Sequence, residues 1–491
     1  LNIPLANSIS KLTLKINDFF KVNLSVLIIL CLISQHSFIV KFFGVFLVVI
    51  LNLNSLKEFS IRKIPFFYFL IIITEVLKFL FFNDTQNLPH FAQFILGITY
   101  WLASLILCWI LYYVVNNELY IKKSINVFVV LNFAFSIYQL VKICCVENVL
   151  NPFNTGHNHP YGISSGDLIS GIFHGVHLTN AFVSLFLIIY YITEQTPLYI
   201  FLSLTTLLLT GSNYATIILF LAFGILFFSN KSNWQKVSII LCVIFIVVFY
   251  SFVTPLNAEY LLEKTLNISK TLPNSAHDIA LEDLESKYEV KKVTIADTNS
   301  PYTSEGAETK KIIVKNQDNV FDFVKQSGKT RSYYQTKEFL TQSAKNFMLG
   351  SGIGGFSSKL AFNSSGIMEG SSLNKYFPKY ESSYFGNNHK ALYAYLKTQH
   401  IMFHSESNRP FSVYNQLLGE YGIIGFSFFI LFYLWYFIKR MDLKTYALPV
   451  FVALLLMLNI DYFFESISIL LFFELLMFLN IKQKIDSEHA V

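Results

Sequence analysis

Long apolar runs separated by short polar links dominate this chain. They fall near residues 19–35, 37–55, 64–82, 92–115, 124–143, 173–192, 197–210, 212–228, 237–254, 417–438, 446–460 and 463–480. A helix needs about 20 apolar residues to cross the hydrocarbon core of a bilayer. The pattern therefore predicts an all-α polytopic membrane protein with about 12 transmembrane helices. The first two runs are joined only by SQHS at 34–37. The stretch from Pro197 to Phe228 is too long for one upright span, and TGSN at 210–213 divides it.

Positive charge alternates between the links. Lys11, Lys15 and Lys21 precede the first run; Lys57, Arg62 and Lys63 follow the second; Lys122 and Lys123 follow the fourth; Lys231 and Lys236 follow the eighth. Lys439, Arg440 and Lys444 follow the tenth, and Lys482 and Lys484 follow the twelfth. The links after the third, fifth, seventh and eleventh runs contain no Lys or Arg. Because Lys and Arg are retained on the cytoplasmic side, both termini are expected inside. The organisation expected is a membrane domain at 1–254, a large extracytoplasmic loop with an amphipathic helix at 255–410, and a second membrane domain at 411–491. The loop thus lies between helices 9 and 10.

Composition agrees. Hydrophobic residues make up 54% and charged residues 14%, with 51 Phe, against about a quarter charged in soluble domains. The net charge of +6 is spread among short links and does not point to nucleic acid. All five cysteines (Cys31, Cys108, Cys144, Cys145, Cys242) lie in or beside apolar runs, so no disulfide framework is expected in the loop. The opening segment has no cleavable signal pattern.

Arginine is scarce. Arg62 and Arg440 are inside anchors, whereas Arg331 and Arg409 fall in the outside loop, which already carries seventeen lysines from Lys264 to Lys397. A guanidinium adds a planar fork that grips phosphate or carboxylate bidentately; the plainer expectation is an ion pair, with Glu406 as partner for Arg409. Residues 257–319 are polar and carry no recognisable chemistry. In 332–348, Tyr333, Leu340, Ala344 and Phe347 recur at helical spacing, and Ser332 with Gln335 reads as a capping box. Arg331 is then expected just ahead of a helix N-terminus, a setting that favours anions, on a helix that can lie on the bilayer. SGKT just before it is no nucleotide loop, because Phe323 replaces the first glycine. Gly350, Gly352, Gly354 and Gly355 follow, permitting a tight turn or a close approach to a ligand.

His157, His159, His174 and His177 cluster before and within the sixth run. His174 and His177 are expected to share a helix face, lining an outward cavity; a metal site would need further ligands, with only Asp167 near. His404 lies close to Arg409 in sequence, and an imidazole is the side chain most often used as a general base near neutral pH. Glu75 and Lys78 sit one turn apart within the third run, where charges must pair. Lys41 and Lys142 also fall in or at the end of runs. Asp461 and Glu465 mark the outer turn between the last two.

Several of these stretches carry a likeness. LLLTGSNYATIILFLAFGILFF (207–228), RSYYQTKEFLTQSAKNFMLGSGIGGF (331–356), SVYNQLLGEYGIIGF (412–426) and, more weakly, GIFHGVHLTNAF (171–182) occur in the order and layout of one group. In these features the chain resembles the bacterial O-antigen polymerase and O-antigen ligase superfamily, membrane glycosyltransferases that use polyprenyl-pyrophosphate-linked glycans. It departs in two places: Asn213 stands where arginine commonly follows Thr-Gly-Ser, and Phe411, not histidine, stands nine residues before Glu420. The second departure puts polymerase ahead of ligase.

The resemblance implies a bacterial inner-membrane enzyme that joins lipid-linked repeat units at the outer leaflet. Its alternatives are an O-antigen ligase or protein O-oligosaccharyltransferase, with the same donor and another acceptor, and more remotely a polysaccharide transporter or flippase. It implies a polyprenyl-pyrophosphate-linked glycan donor, a glycan or lipid-linked acceptor, contact with membrane lipids, a possible chain-length regulator as partner, and neither cofactor nor metal. Arg331 and Arg409 are expected to stabilise the leaving pyrophosphate. His404, with Glu420 and Glu406 behind it, is the expected base; Gly350, Gly352, Gly354, His174, His177 and Asn213 are expected to contact substrate. The topology generates a direct test. Arg331→Cys and Arg409→Cys, in a chain freed of its five native cysteines, should react with an impermeant maleimide on intact cells; reaction only after lysis would invert the map.

Overall fold

The computed structural model describes residues 4–33, 38–82, 87–154, 168–173, 176–229, 232–255, 258, 327–368, 378–398 and 408–489. The polar stretch 257–319, His157, His159, Asp167, His174, His404 and Glu406 lie outside them, apart from Ala258. The described residues form helices and no strand. In chain order these are α1 (Pro4–Phe20), α2 (Leu24–Ile28, continued by a π turn Ile29–Ile33), α3 (Phe38–Leu51), α4 (Leu53–Lys57), α5 (Phe67–Phe82), α6 (Leu88–Val114) and α7 (Glu118–Glu147). Then come α8 (His177–Glu194), α9 (Pro197–Leu209), α10 (Asn213–Ser229) and α11 (Asn233–Phe252). The segment expected outside contributes α12 (Gly328–Thr341), α13 (Ala344–Leu349), α14 (Lys359–Ser364) and α15 (Ala391–Thr398). The chain ends in α16 (Val413–Phe428), a π turn (Phe429–Leu434), α17 (Trp435–Arg440), α18 (Ala447–Met457), α19 (Phe463–Ser466) and α20 (Ser468–His489).

Two helices form the middle of the bundle. Every residue of α8 from Leu178 to Ile192, and of α20 from Ser468 to Ile481, is buried. A helix that is apolar all round belongs in an interior, and α20 accordingly packs on α6, α8 and α18. On the periphery the pattern inverts. On α11, Val237, Ile240, Leu241, Ile244 and Val247 are all exposed. So broad an apolar surface on a peripheral helix suits lipid, and the chain is a membrane protein.

Among the described residues, four helices are long and apolar enough to cross a bilayer: α6, α7, α11 and the stretch Val413–Arg440, which is kinked at Gly422. A fifth is counted if Lys11–Phe20 and Leu24–Ile33, bent by 84°, are taken together. The other described runs are helical too, and most are shorter because the chain breaks inside or beside them; α8 and α20, with 18 and 22 residues, fall short in apolar composition instead of length. At Thr210–Gly211 the break separates α9 from α10, with Gly211 at φ +63°. At Ile467 a β-branched residue takes φ +63°, a strained position that separates α19 from α20 and leaves the Ser466 carbonyl to accept from Lys41 Nζ at 2.8 Å.

The break that matters most is in α16. Gly422 has φ +65° and ψ −167°, interrupting the helix. The Gly419 and Glu420 carbonyls instead accept from Ser351 N and Gly352 N, both at 2.9 Å. The glycine-rich turn thereby lies directly on the kink. A Cβ on Gly350 (φ +66°) would stand 2.5 Å from the Glu420 carbonyl carbon, and one on Gly422 would stand 2.5 Å from that of Met348. Both glycines are required by backbone conformation and by space. Gly422→Ala is expected to cost about 1–3 kcal/mol and to lower the thermal midpoint of the detergent-solubilised protein; an unchanged midpoint would show that the crossing does not need glycine.

Candidate functional site

Glu75 and Lys78, one turn apart on α5, are both buried and stand 3.3 Å apart. The pair also reaches beyond itself. Lys78 Nζ donates to the Glu420 carbonyl at 2.8 Å and to the Leu349 carbonyl, and Glu75 Oε2 accepts from Ile353 N at 3.2 Å. A buried ion pair repays its desolvation only when its remaining hydrogen-bonding capacity is used. Here that capacity joins α5 to both the glycine turn and the kinked α16.

Two further carboxylates finish the turn. Glu420 Oε1 accepts from Phe356 N at 3.3 Å and Ser357 N at 3.2 Å. Glu465 accepts from Leu360 N at 2.8 Å through Oε2 and from Gln416 Nε2 at 2.9 Å through Oε1. Gln93 donates to the Gly354 carbonyl at 3.2 Å and to Ser364 Oγ at 2.7 Å. The Gly350 and Gly352 N–H groups are engaged by the Asn346 and Glu420 carbonyls. Backbone donors that would suit a bound anion are therefore occupied by the protein's own acceptors, and Gly350, Gly352 and Gly354 act as a packing junction. Glu420 is fully buried and holds the turn from beneath.

Beside this junction runs a buried hydrogen-bonded chain. His389, in the turn Gly386–Lys390, places Nε2 3.1 Å from the Ser332 carbonyl, which can only accept, so Nε2 carries the hydrogen. Nδ1 then accepts from Ser357 Oγ at 2.6 Å, and Ser357 Oγ accepts from Tyr462 OH at 2.8 Å. Burial, reinforced by the charge of Lys329, pushes the imidazole down to about 4, so His389 is neutral at pH 7.

Helix α12 differs from its sequence expectation. Ser327, not Ser332, caps it, its hydroxyl accepting from Thr330 N at 3.2 Å. Arg331 consequently lies inside the first turn, not ahead of it. Ser332 Oγ donates to the Lys329 carbonyl and accepts from Asn415 Nδ2 at 2.8 Å. The helix stops at Thr341, and Ser343 caps a new helix, α13. The buried face is Ser332, Gln335, Thr336 and Phe339 rather than Tyr333, Leu340, Ala344 and Phe347; Phe347 is exposed. Polar positions win because they meet polar partners: Asn415 Oδ1 accepts from Thr336 Oγ1 at 2.9 Å, and Asn415 Nδ2 donates to Ser332 Oγ.

Arg331 and Arg409 are brought to one region. Gly328 packs against the carbonyl of Asn408, the residue before Arg409, and Lys329 Nζ donates to the Phe411 carbonyl. Arg409 lies over the Phe411 ring, 6.0 Å from its centroid. Arg331 and Arg409, both half-buried, thus sit on two segments that touch where α16 begins. Asn213 is elsewhere: it opens α10 and its Oδ1 accepts from Tyr250 OH at 3.0 Å. His177 is the first residue of α8, after the non-helical Val176. Among the described residues no three His, Cys, Asp or Glu side chains gather as a metal site.

Sequence reasoning missed His389, Ser357, Gln93 and Glu474. The first three carry no local signal. Glu474 did: it is a carboxylate in the middle of the last apolar run, the same anomaly that exposed Glu75. It is fully buried on α20 and accepts from Tyr68 OH at 2.5 Å and Tyr433 OH at 3.1 Å. Comparison with family models, curated proteins and solved structures finds no match to this chain.

Two outcomes follow from this geometry. Because His389 binds its proton less readily when folded, the unfolded chain takes up more protons between about pH 6.5 and pH 4. The stability contributed is full above pH 6.5 and is lost as pH falls toward 4, by up to roughly 3 kcal/mol. His389→Gln should flatten that part of a thermal-unfolding profile against pH, and an identical profile would contradict the assignment. Separately, Glu75→Gln leaves Lys78 buried without its counter-charge and should cost about 3–5 kcal/mol, read as loss of monodisperse protein on size exclusion; Lys78→Met in the same chain should restore part of it.

Proposed function

We propose that this chain is a glycosyltransferase of the bacterial inner membrane, a polymerase that joins oligosaccharide repeats carried on polyprenyl pyrophosphate. In this reading twelve spans place both termini in the cytoplasm, and the segment carrying Arg331 and Arg409 faces the outer leaflet. The observation that supports it is the contact of Gly328 with the Asn408 carbonyl. That contact puts two scarce guanidinium groups on adjoining segments at the start of a membrane helix, the depth at which a lipid-borne pyrophosphate sits.

The chemistry is a substitution at the anomeric carbon. The bond from that carbon to the pyrophosphate oxygen breaks, and a bond to an acceptor sugar hydroxyl forms. The hydroxyl proton passes to a base, for which His404 is our candidate, and polyprenyl pyrophosphate departs with the electron pair. Charge builds on the leaving group, so cations placed in advance lower the barrier. Arg331 and Arg409 are assigned that part. Glu75, Lys78, Glu420 and Glu465 act as positioning residues, because they hold the turn and helix on which the arginines depend.

Deletion of the gene should convert a ladder of surface glycan into single repeats on their final acceptor. Full-length polymer stranded on the lipid carrier would instead assign ligase activity, and an unchanged ladder would remove both. Arg331→Ala is expected to reduce polymerisation about 10²–10³-fold, with Arg331→Lys keeping a weak remnant. Wild-type activity in the alanine variant, at equal protein level, would take Arg331 out of the site.

A further inference from the structure

An apolar groove of about 340 Å³ runs between α10 and α11. Its floor is Gly224, where a Cβ would meet nothing within 4 Å. Its walls include Phe220, Phe227 and Phe228 on one side and Ile240, Val243 and Ile244 on the other. Phe220, Gly224 and Phe228 are successive turns of one helix face, so the groove follows the helix axis for about 12 Å. No hydrogen-bonding side chain lines it, which excludes a sugar or a nucleotide as occupant.

One end of the groove carries charge. Lys236 Nζ lies 5.5 Å from the ring of Phe227, and Lys236 has no carboxylate partner among the described residues. None is near in sequence either, since the chain has no acidic residue between Glu194 and Glu259. Gln235 is buried and donates to the Thr193 carbonyl at 3.4 Å, which fixes the start of α11 and hence the position of Lys236. Trp234 beside it is 36% exposed, the placement of an aromatic at the headgroup level.

We propose that this groove holds one acyl chain of an anionic glycerophospholipid, with Lys236 against its phosphate. A chain of methylenes matches the apolar length, and the unpaired sign of charge at the end selects an anionic headgroup over a zwitterionic one. A second copy of this protein fits less well. Close helix pairing in membranes uses small residues four apart, whereas Gly224 is flanked at that spacing by two phenylalanines, one of them 88% exposed. The inference is independent of the polymerase reading, because it uses neither arginine nor the glycine turn.

The test is native mass spectrometry of the full chain in mild detergent, titrated with phosphatidylglycerol or phosphatidylcholine of equal chain length. The wild type should hold one phosphatidylglycerol about ten-fold more tightly than phosphatidylcholine. Lys236→Gln should abolish that preference, and Gly224→Phe should remove the tightly held lipid. Ile244→Trp, from the opposite wall, serves the same purpose should Gly224→Phe lower the thermal midpoint. Equal affinity for the two lipids in the wild type, or undiminished phosphatidylglycerol binding in both groove variants, would overturn the proposal. So would a dimer peak in place of the lipid adduct, or a long-chain isoprenyl phosphate that displaces phosphatidylglycerol at equal concentration.

Discussion

The buried ammonium of Lys78 is the constraint on which the rest of the site depends. An ammonium removed from water costs several kcal/mol unless each of its hydrogens is directed at an acceptor. Lys78 directs them at Glu75, at the Leu349 carbonyl and at the Glu420 carbonyl. Those acceptors lie on three separate stretches of chain. Meeting the needs of one side chain therefore places α5, a turn and a broken helix in a single arrangement. The kink at Gly422 makes this possible, because an unbroken helix would leave the Glu420 carbonyl committed to its own backbone.

The same logic explains why the glycine turn is crowded with carboxylates. Turns of this kind present several N–H groups in one direction and attract negative charge. Glu75, Glu420 and Glu465 answer it from beneath, each from a different helix. In the proposed enzyme this division of labour is useful. The turn becomes a rigid platform whose own polarity is neutralised, and the substrate's negative charge is left to the guanidinium groups of Arg331 and Arg409. The neutral His389, tied to Ser332 and Ser357, links α12 to that platform without adding charge.

Much of the architecture was legible in the chain itself. Apolar run length dictates helices because an unpaired backbone is too costly in lipid, and most of each run, where described, is helical. The rarity of charge in those runs made Glu75 and Lys78 conspicuous, and their pairing follows from spacing alone. The exposure of Arg331 to its own helix end did not survive, since capping is decided by whichever nearby serine first captures a free N–H, and Ser327 is earlier than Ser332.

What pattern determines is local: period, length, and the sign of charge at each link follow from residues within a few turns of one another. What the tertiary structure decided is where long-range acceptors fall. Gln93 with Gly354, Lys41 with Ser466, Glu465 with Leu360 and His389 with Ser357 are separated by tens to hundreds of residues. No periodicity encodes such pairs, because a hydrogen bond depends on distance and angle in space, and only the packed helices bring those atoms within reach.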